Sequence, residues 1–186
     1  MIYFDNAATT PLLPSVIEAM TESMQGQFGN PSSIHSYGRA ANKTLRDCRQ
    51  SIAQLLGVES RNIIFTSGGT ESNNTAIKGY ALANQSKGKH LITTSIEHHS
   101  VLHTMAYLEE RFGFEVTYIK PQNRHITAQQ IKDALREDTI LVSVMAANNE
   151  TGDLLPISEI GQALKIIKLF FMSMLFKLWG KLKFLL

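Results

Sequence analysis

Short apolar runs alternating with segments of helical period constrain this chain more than any other feature, because a strand–helix–strand repeat forces parallel strands joined by crossovers. The runs Asn62 to Thr66, His90 to Ile96, Glu115 to Lys120 and Ile140 to Ala146 predict strands. Between them, Thr70 to Asn84, Ser100 to Phe112 and Thr127 to Arg136 carry helix periodicity. Two earlier helices are predicted over Pro14 to Met24 and Tyr37 to Leu56. The second repeats Ala40, Ala41, Leu45, Cys48, Ile52, Leu55 and Leu56 at three-to-four spacing before Gly57 stops it. That spacing puts Cys48 in a core stripe, with no basic partner to make its thiol reactive. The fold class is α/β, with a mostly parallel sheet covered on both faces.

Charge narrows the partners. Residues 1 to 164 carry 13 Lys and Arg against all 16 Asp and Glu, a net of −3, while the last 22 residues add +5. A slightly acidic body without a basic cluster does not neutralise phosphates along a groove, so nucleic acid is excluded as a partner. The lone Cys48 rules out an internal disulfide. The start, Met1-Ile2-Tyr3-Phe4-Asp5, lacks a basic stretch followed by an apolar run, so no signal peptide is expected and the reducing cytoplasm is the expected compartment.

In α/β sheets ligands collect at the carboxyl ends of strands. The strand ends here are Ser67-Gly68-Gly69-Thr70, Glu97-His98-His99, Pro121-Gln122-Asn123 and Asn148-Asn149-Glu150-Thr151-Gly152. At the first, two glycines admit an anion close to the backbone, and first-turn amides with the Thr70 and Ser72 hydroxyls can donate to phosphate oxygens. The Lys of a nucleotide P-loop and the G-x-G-x-x-G of a dinucleotide fold are both missing, which points to a small phosphorylated cofactor. A capped helix after a tight turn would use the same residues. At the second end, an imidazole could lie over an aromatic ring or move a proton, with Glu97 fixing its tautomer, or could simply be a hydrogen-bonded surface group. His98 and His99 do not make a metal pair, because neighbours on an extended chain point opposite ways and no third ligand is evident. At the fourth end, the Asn148 amide could donate to a phenolate oxygen or accept from an ammonium, though Asn and Gly also suit a plain turn.

Taken together, these residues resemble the pyridoxal-phosphate-dependent cysteine desulfurases of the class V aminotransferase group. The resemblance spans about residues 1 to 164 and rests on five motifs in order. They are Tyr3-Phe4-Asp5-Asn6-Ala7-Ala8-Thr9-Thr10-Pro11, then Phe28-Gly29-Asn30-Pro31-Ser32-Ser33 with His35, then the glycine crook, the His pair and the Asn pair. It implies an incomplete aspartate-aminotransferase-like large domain, with about residues 1 to 15 forming an arm that packs on the family's smaller domain. It implies further that Gly69 and Thr70 bind the phosphate of pyridoxal 5'-phosphate, that His98 stacks on the pyridine ring, and that Asn148 contacts the ring hydroxyl. L-cysteine as substrate, iron–sulfur scaffold or other sulfur-acceptor proteins as partners, and a homodimer are implied in the same way.

The resemblance also calls for a Lys that holds the cofactor as a Schiff base, an Asp on the pyridinium nitrogen, and a Cys on a mobile loop that takes up sulfur and leaves alanine. No Ser-x-His-Lys follows a strand, no Asp occurs after Asp153, and Cys48 sits too early and in a helix. The 186 residues are therefore expected to be a truncated fragment without turnover.

Residues 166 to 186 hold 15 apolar side chains and four Lys, with no acid. A membrane span needs about 20 continuous apolar residues, and Leu169 to Phe176 is broken by Ser173 and flanked by Lys168 and Lys177, so no anchor is expected. Rereading the codons from Phe171 to Lys181 one base out of register permits His-Val-Asp-Ala-Val-Gln-Ala-x-Gly-Lys, which resembles the family's stretch carrying the pyridinium Asp. A single-base frameshift near Lys165, with 165 to 186 an aberrant tail, is the expectation. Rival expectations are another class V enzyme, such as an aminotransferase or selenocysteine lyase, and a non-catalytic scaffold or pseudogene product.

Overall fold

A computed structural model describes residues 2–4, 6 and 9–175. The chain divides into two compact units between Phe65 and Thr66. The first contains helices α1 (Pro14–Gly26) and α2 (Ser36–Leu56) and a short 3-10 turn at Ser60–Asn62. Pro14 at the first position of α1 lacks the amide that would otherwise go unpaired, and Gly57 ends α2 in the left-handed region at φ 67°.

The second unit is a sheet between helices. Its elements are α3 (Gly69–Asn84), β1 (His90–Thr94), α4 (His99–Phe112), β2 (Glu115–Ile119), α5 (Ala128–Asp133), β3 (Thr139–Ser143), α6 (Ile157–Leu164) and β4 (Phe170–Met172). The strands run in the order β2-β1-β3-β4 and every pair is parallel, which confirms the expected α/β class. Because side chains alternate along a strand, each strand feeds both faces. Leu91 and Leu141 pack with Ile77, Val101 and Met105 of α3 and α4. Ile92 and Val142 pack with Ile131, Ile160 and Leu164 of α5 and α6. The central strands β1 and β3 are buried throughout. At the start of β1 the buried His90 ties neighbouring strands, its ring nitrogens lying 2.7 Å from Thr139 Oγ1 and 2.8 Å from Thr117 Oγ1.

Two sequence expectations need correction, and two elements carry no readable period. Asn62 to Thr66 is not a strand: it begins in the 3-10 turn and continues without pairing, with Ile64 74% exposed. A strand exists through its ladder, and the described residues of its own unit offer that segment no neighbouring strand. Cys48 is exposed, as are Leu45 and Leu55 on the same stripe. Periodicity identifies which face of a helix is apolar, and within its unit α2 meets little beyond the 3-10 turn. Helix α6 and strand β4 were not anticipated by the helix and strand periods; Pro156 starts the first, with Ile160 and Leu164 on its buried side.

Phe170–Met172 pairs with Leu141–Ser143. Phe170 stacks on Tyr80 at 4.5 Å between ring centres, and Phe171 packs on the opposite face. Of the expected aberrant tail, residues 176 to 186 lie outside the described residues, as do Asp5, Ala7 and Ala8 of the opening motif. Among the described residues no helix is long and apolar enough to cross a membrane.

Candidate cofactor site

The crook before α3 is held by its own side chains. The Ser67 amide and hydroxyl both donate to a Glu71 carboxylate oxygen at 2.6 Å, which holds that carboxyl below its usual range. Thr66 Oγ1 donates to the Gly68 carbonyl at 3.2 Å and lies 2.6 Å from Ser72 Oγ. The Ser72 amide returns to the Gly68 carbonyl at 3.1 Å. Ser67 and Ser72 are thus engaged internally, which narrows the anion-facing set to the first-turn amides and the Thr70 hydroxyl. Gly68 caps the helix in extended backbone with no side-chain hydrogen bond, leaving those amides without a capping acceptor. A Cβ built on Gly68 or Gly69 would meet nothing within 4 Å, so the crook is open rather than sealed by packing.

His98 caps α4. Its Nδ1 accepts from the Ser100 amide at 3.1 Å and lies 2.8 Å from Ser100 Oγ. An amide N–H can only donate, so Nδ1 is the bare nitrogen and the neutral ring carries its proton on Nε2. The Ser100 hydroxyl in turn accepts from Asn73 Nδ2 at 2.8 Å, which joins the ring to α3. The tautomer is therefore set by Ser100, not by Glu97. Glu97 turns into the core instead, where Oε1 accepts from Thr94 Oγ1 at 3.0 Å and from the Met145 amide at 2.8 Å. Its Oε2 is buried with no partner among the described residues, and burial pushes the carboxyl up to about 7 against the pull of those two donors.

Asn148 closes a turn of its own. Its Oδ1 accepts from the Glu150 and Thr151 amides at 2.8 and 3.0 Å, and its Nδ2 donates to the Ile96 carbonyl at 2.9 Å. Both oxygen lone-pair directions are filled, and the second Nδ2 proton faces only the weak acceptor Met145 Sδ at 3.8 Å, so Asn148 can offer a ligand at most that one N–H and cannot accept from an ammonium. The Ile96 bond ties the Asn148 turn to the His98 turn, and the Glu97–Met145 bond does so one layer deeper. Thr70 and His98 line one recess of about 380 Å³ between α3 and α4. Gly69 lines an adjoining recess with Asn73 and Met174.

Gly69 and Thr70 thus open α3, His98 follows β1 and Asn148 follows β3, and hydrogen bonds through Asn73–Ser100 and Asn148–Ile96 link their turns, while Asn148 lines neither recess. Asn73 and Ser100, which position the ring, carried a readable signal: polar residues on the inward stripes of two helices. The arrangement fits a planar, phosphorylated cofactor, since the open crook takes an anion, a fixed imidazole offers a flat face, and one Asn148 N–H is held only by the weak acceptor Met145 Sδ.

The model for the family described as aminotransferase class-V matches residues 2–172. The putative cysteine desulfurase IscS 1 of Bacillus subtilis is 53% identical over 171 residues, covering 91% of this chain and 45% of that protein. The cysteine desulfurase IscS of Methanosarcina thermophila is 51% identical over 172 residues, covering 91% and 42%. The solved structure of SspA in complex with cysteine superposes with a TM-score of 0.86 at 41% identity, covering 92% of this chain and 49% of that one. The chain spans less than half the length of these relatives. Members of the family use pyridoxal phosphate. With a family match running through every element from α1 to β4, this chain belongs to the class V aminotransferase family.

Proposed function

We propose that these 186 residues form the cofactor-gripping portion of a pyridoxal-phosphate-dependent cysteine desulfurase, an enzyme converting L-cysteine to L-alanine and an enzyme-borne persulfide. The observation that carries this reading is the joining of the open α3 crook, the Ser100-fixed His98 ring and the Asn148 turn by hydrogen bonds from one element to the next. Gly69 and Thr70 would hold the phosphate through first-turn amides and the Thr70 hydroxyl. His98 would cover one face of the ring, and the remaining Asn148 N–H would donate to its hydroxyl oxygen. The bound group supplies an electron sink for bonds at the substrate's α-carbon.

Side chains for the remaining steps are not among these 186 residues in the places the family pattern requires, so the chain on its own grips cofactor weakly and has no turnover. The longer protein would act in the cytoplasm as a homodimer, passing sulfur to iron–sulfur scaffold or other acceptor proteins. The residues from about 165 onward are read as the product of a single-base frameshift; sequencing the DNA downstream of codon 164 tests this, and a downstream frame lacking the rereading in every register refutes it.

Titration of the chain with pyridoxal phosphate, followed by absorbance and by quenching of its fluorescence, tests the binding reading. Saturable binding weakened in Thr70→Ala and His98→Ala is expected. A stable internal Schiff-base band at roughly 410–430 nm contradicts the absence of a Schiff-base Lys, and no binding at all favours a scaffold without cofactor.

A further inference from the structure

His99 and His103 stand one turn apart on the exposed face of α4, where residues at i and i+4 lie side by side. Their ring centres are 5.3 Å apart and the ring planes meet at 36°. Two imidazoles that share one ion, each with a nitrogen about 2.0–2.1 Å from it at tetrahedral or square angles, have ring centres about 5 Å apart. We propose that His99 and His103 form a two-imidazole site for a late first-row divalent cation such as Zn²⁺ or Cu²⁺, with water completing the shell.

The helix backbone places both rings before any ion arrives, so binding orders only two exposed side chains. His98 does not compete for the ion through Nδ1, because that nitrogen already accepts from Ser100. Across the recess, Asn74 of α3 lines the same cavity, its Nδ2 donating to the Thr70 carbonyl and its Oδ1 suited to accept from metal-bound water. The cation of Lys78 is turned aside over the Tyr107 ring, 4.2 Å from its centre, a turn beyond His103. Among the described residues no group of three His, Cys, Asp or Glu is placed to hold a metal, so this pair makes a modest, open site rather than a closed structural one. The proposal does not rest on the cofactor reading, since neither histidine is assigned a cofactor contact.

The test is titration of the untagged full chain, in a Cys48→Ser background, with Cu²⁺, the tightest-binding of these ions. Calorimetry and electron paramagnetic resonance read the result. One equivalent per chain is expected, with splitting from two nitrogens. Affinity should fall about tenfold or more in His99→Ala and in His103→Ala, and stay unchanged in His125→Ala, an exposed histidine on another loop. Both target side chains are exposed, and circular dichroism confirms that the variants keep their fold. Copper bound equally by parent and His103→Ala, a one-nitrogen spectrum, or no binding at micromolar copper overturns the proposal.

Discussion

Ser100 Oγ lies 2.8 Å from His98 Nδ1 while accepting from Asn73 Nδ2, also at 2.8 Å. One buried hydroxyl therefore links the phosphate-facing helix to the imidazole that would face the cofactor ring. Since the Ser100 amide also donates to Nδ1, the ring is held from two directions, and its Nε2–H tautomer follows from the donors available.

Ser100→Ala should keep the amide bond and lose the relay. Asn73, 4% exposed, would then lose its oxygen acceptor, at a cost of about 1–3 kcal/mol. Urea denaturation reads that loss. Imidazole nitrogen shifts by nuclear magnetic resonance should show the Nε2–H form dominant in parent and variant alike, because the Ser100 amide donor remains. A mixture of tautomers in the variant would mean that the hydroxyl rather than the amide sets the proton on His98.

Glu97 makes stability depend on pH in an unusual direction for a carboxylate. Its folded pKa of about 7 lies above the ordinary 4.5, so its contribution is fully present below pH 4.5 and is lost as pH rises through 7. The loss amounts to about 3 kcal/mol. His90 works oppositely over an overlapping range: burial first, then Arg136, lowers its pKa, so its contribution is lost as pH falls. Comparison with Glu97→Gln isolates the carboxyl, since Gln keeps an acceptor for Thr94 and Met145 and does not titrate. Urea midpoints at pH 5 and 7.5 should differ more in the parent, in the direction of weaker parent at pH 7.5; parallel shifts in both proteins would remove Glu97 as the cause.

Gly69 separates binding from folding. A Cβ there meets no protein atom within 4 Å, and Ala is the better helix former by up to about 1 kcal/mol. Gly69→Ala should thus melt at or slightly above the parent temperature, yet bind pyridoxal phosphate more weakly because the methyl occupies the crook. A drop in melting temperature with unchanged cofactor affinity would show that the glycine serves the turn alone.

The second unit was largely legible because each central strand repeats one simple demand: apolar side chains toward both faces. Leu91, Ile92, Leu141 and Val142 show it. Helix α4 was legible down to its start, since His98 is followed by Ser100, Val101, Thr104, Met105 and Leu108 on the buried side. The motifs located Gly69, Thr70, His98 and Asn148, but could not show how hydrogen bonds are shared out among close neighbours. Ser67 and Ser72 look like ligand donors in sequence and are taken by Glu71 and Thr66 in space. Glu97 looks like the partner of its neighbour and turns inward. Such allocations depend on distances of a few ångströms between separate elements, which spacing along the chain does not encode.

Cys48 tests the limit of periodicity most directly. Its place on the apolar stripe of α2 predicts a buried thiol, and the structure exposes it. A buried thiol reacts with a disulfide reagent only after the helix opens, whereas an exposed one reacts in the native protein. Ellman's reagent without denaturant should therefore release one equivalent of chromophore from the native chain, at a rate unaffected by mild denaturant. A reaction that waits for several molar urea would place α2 against a partner surface, and would restore the expectation drawn from its sequence.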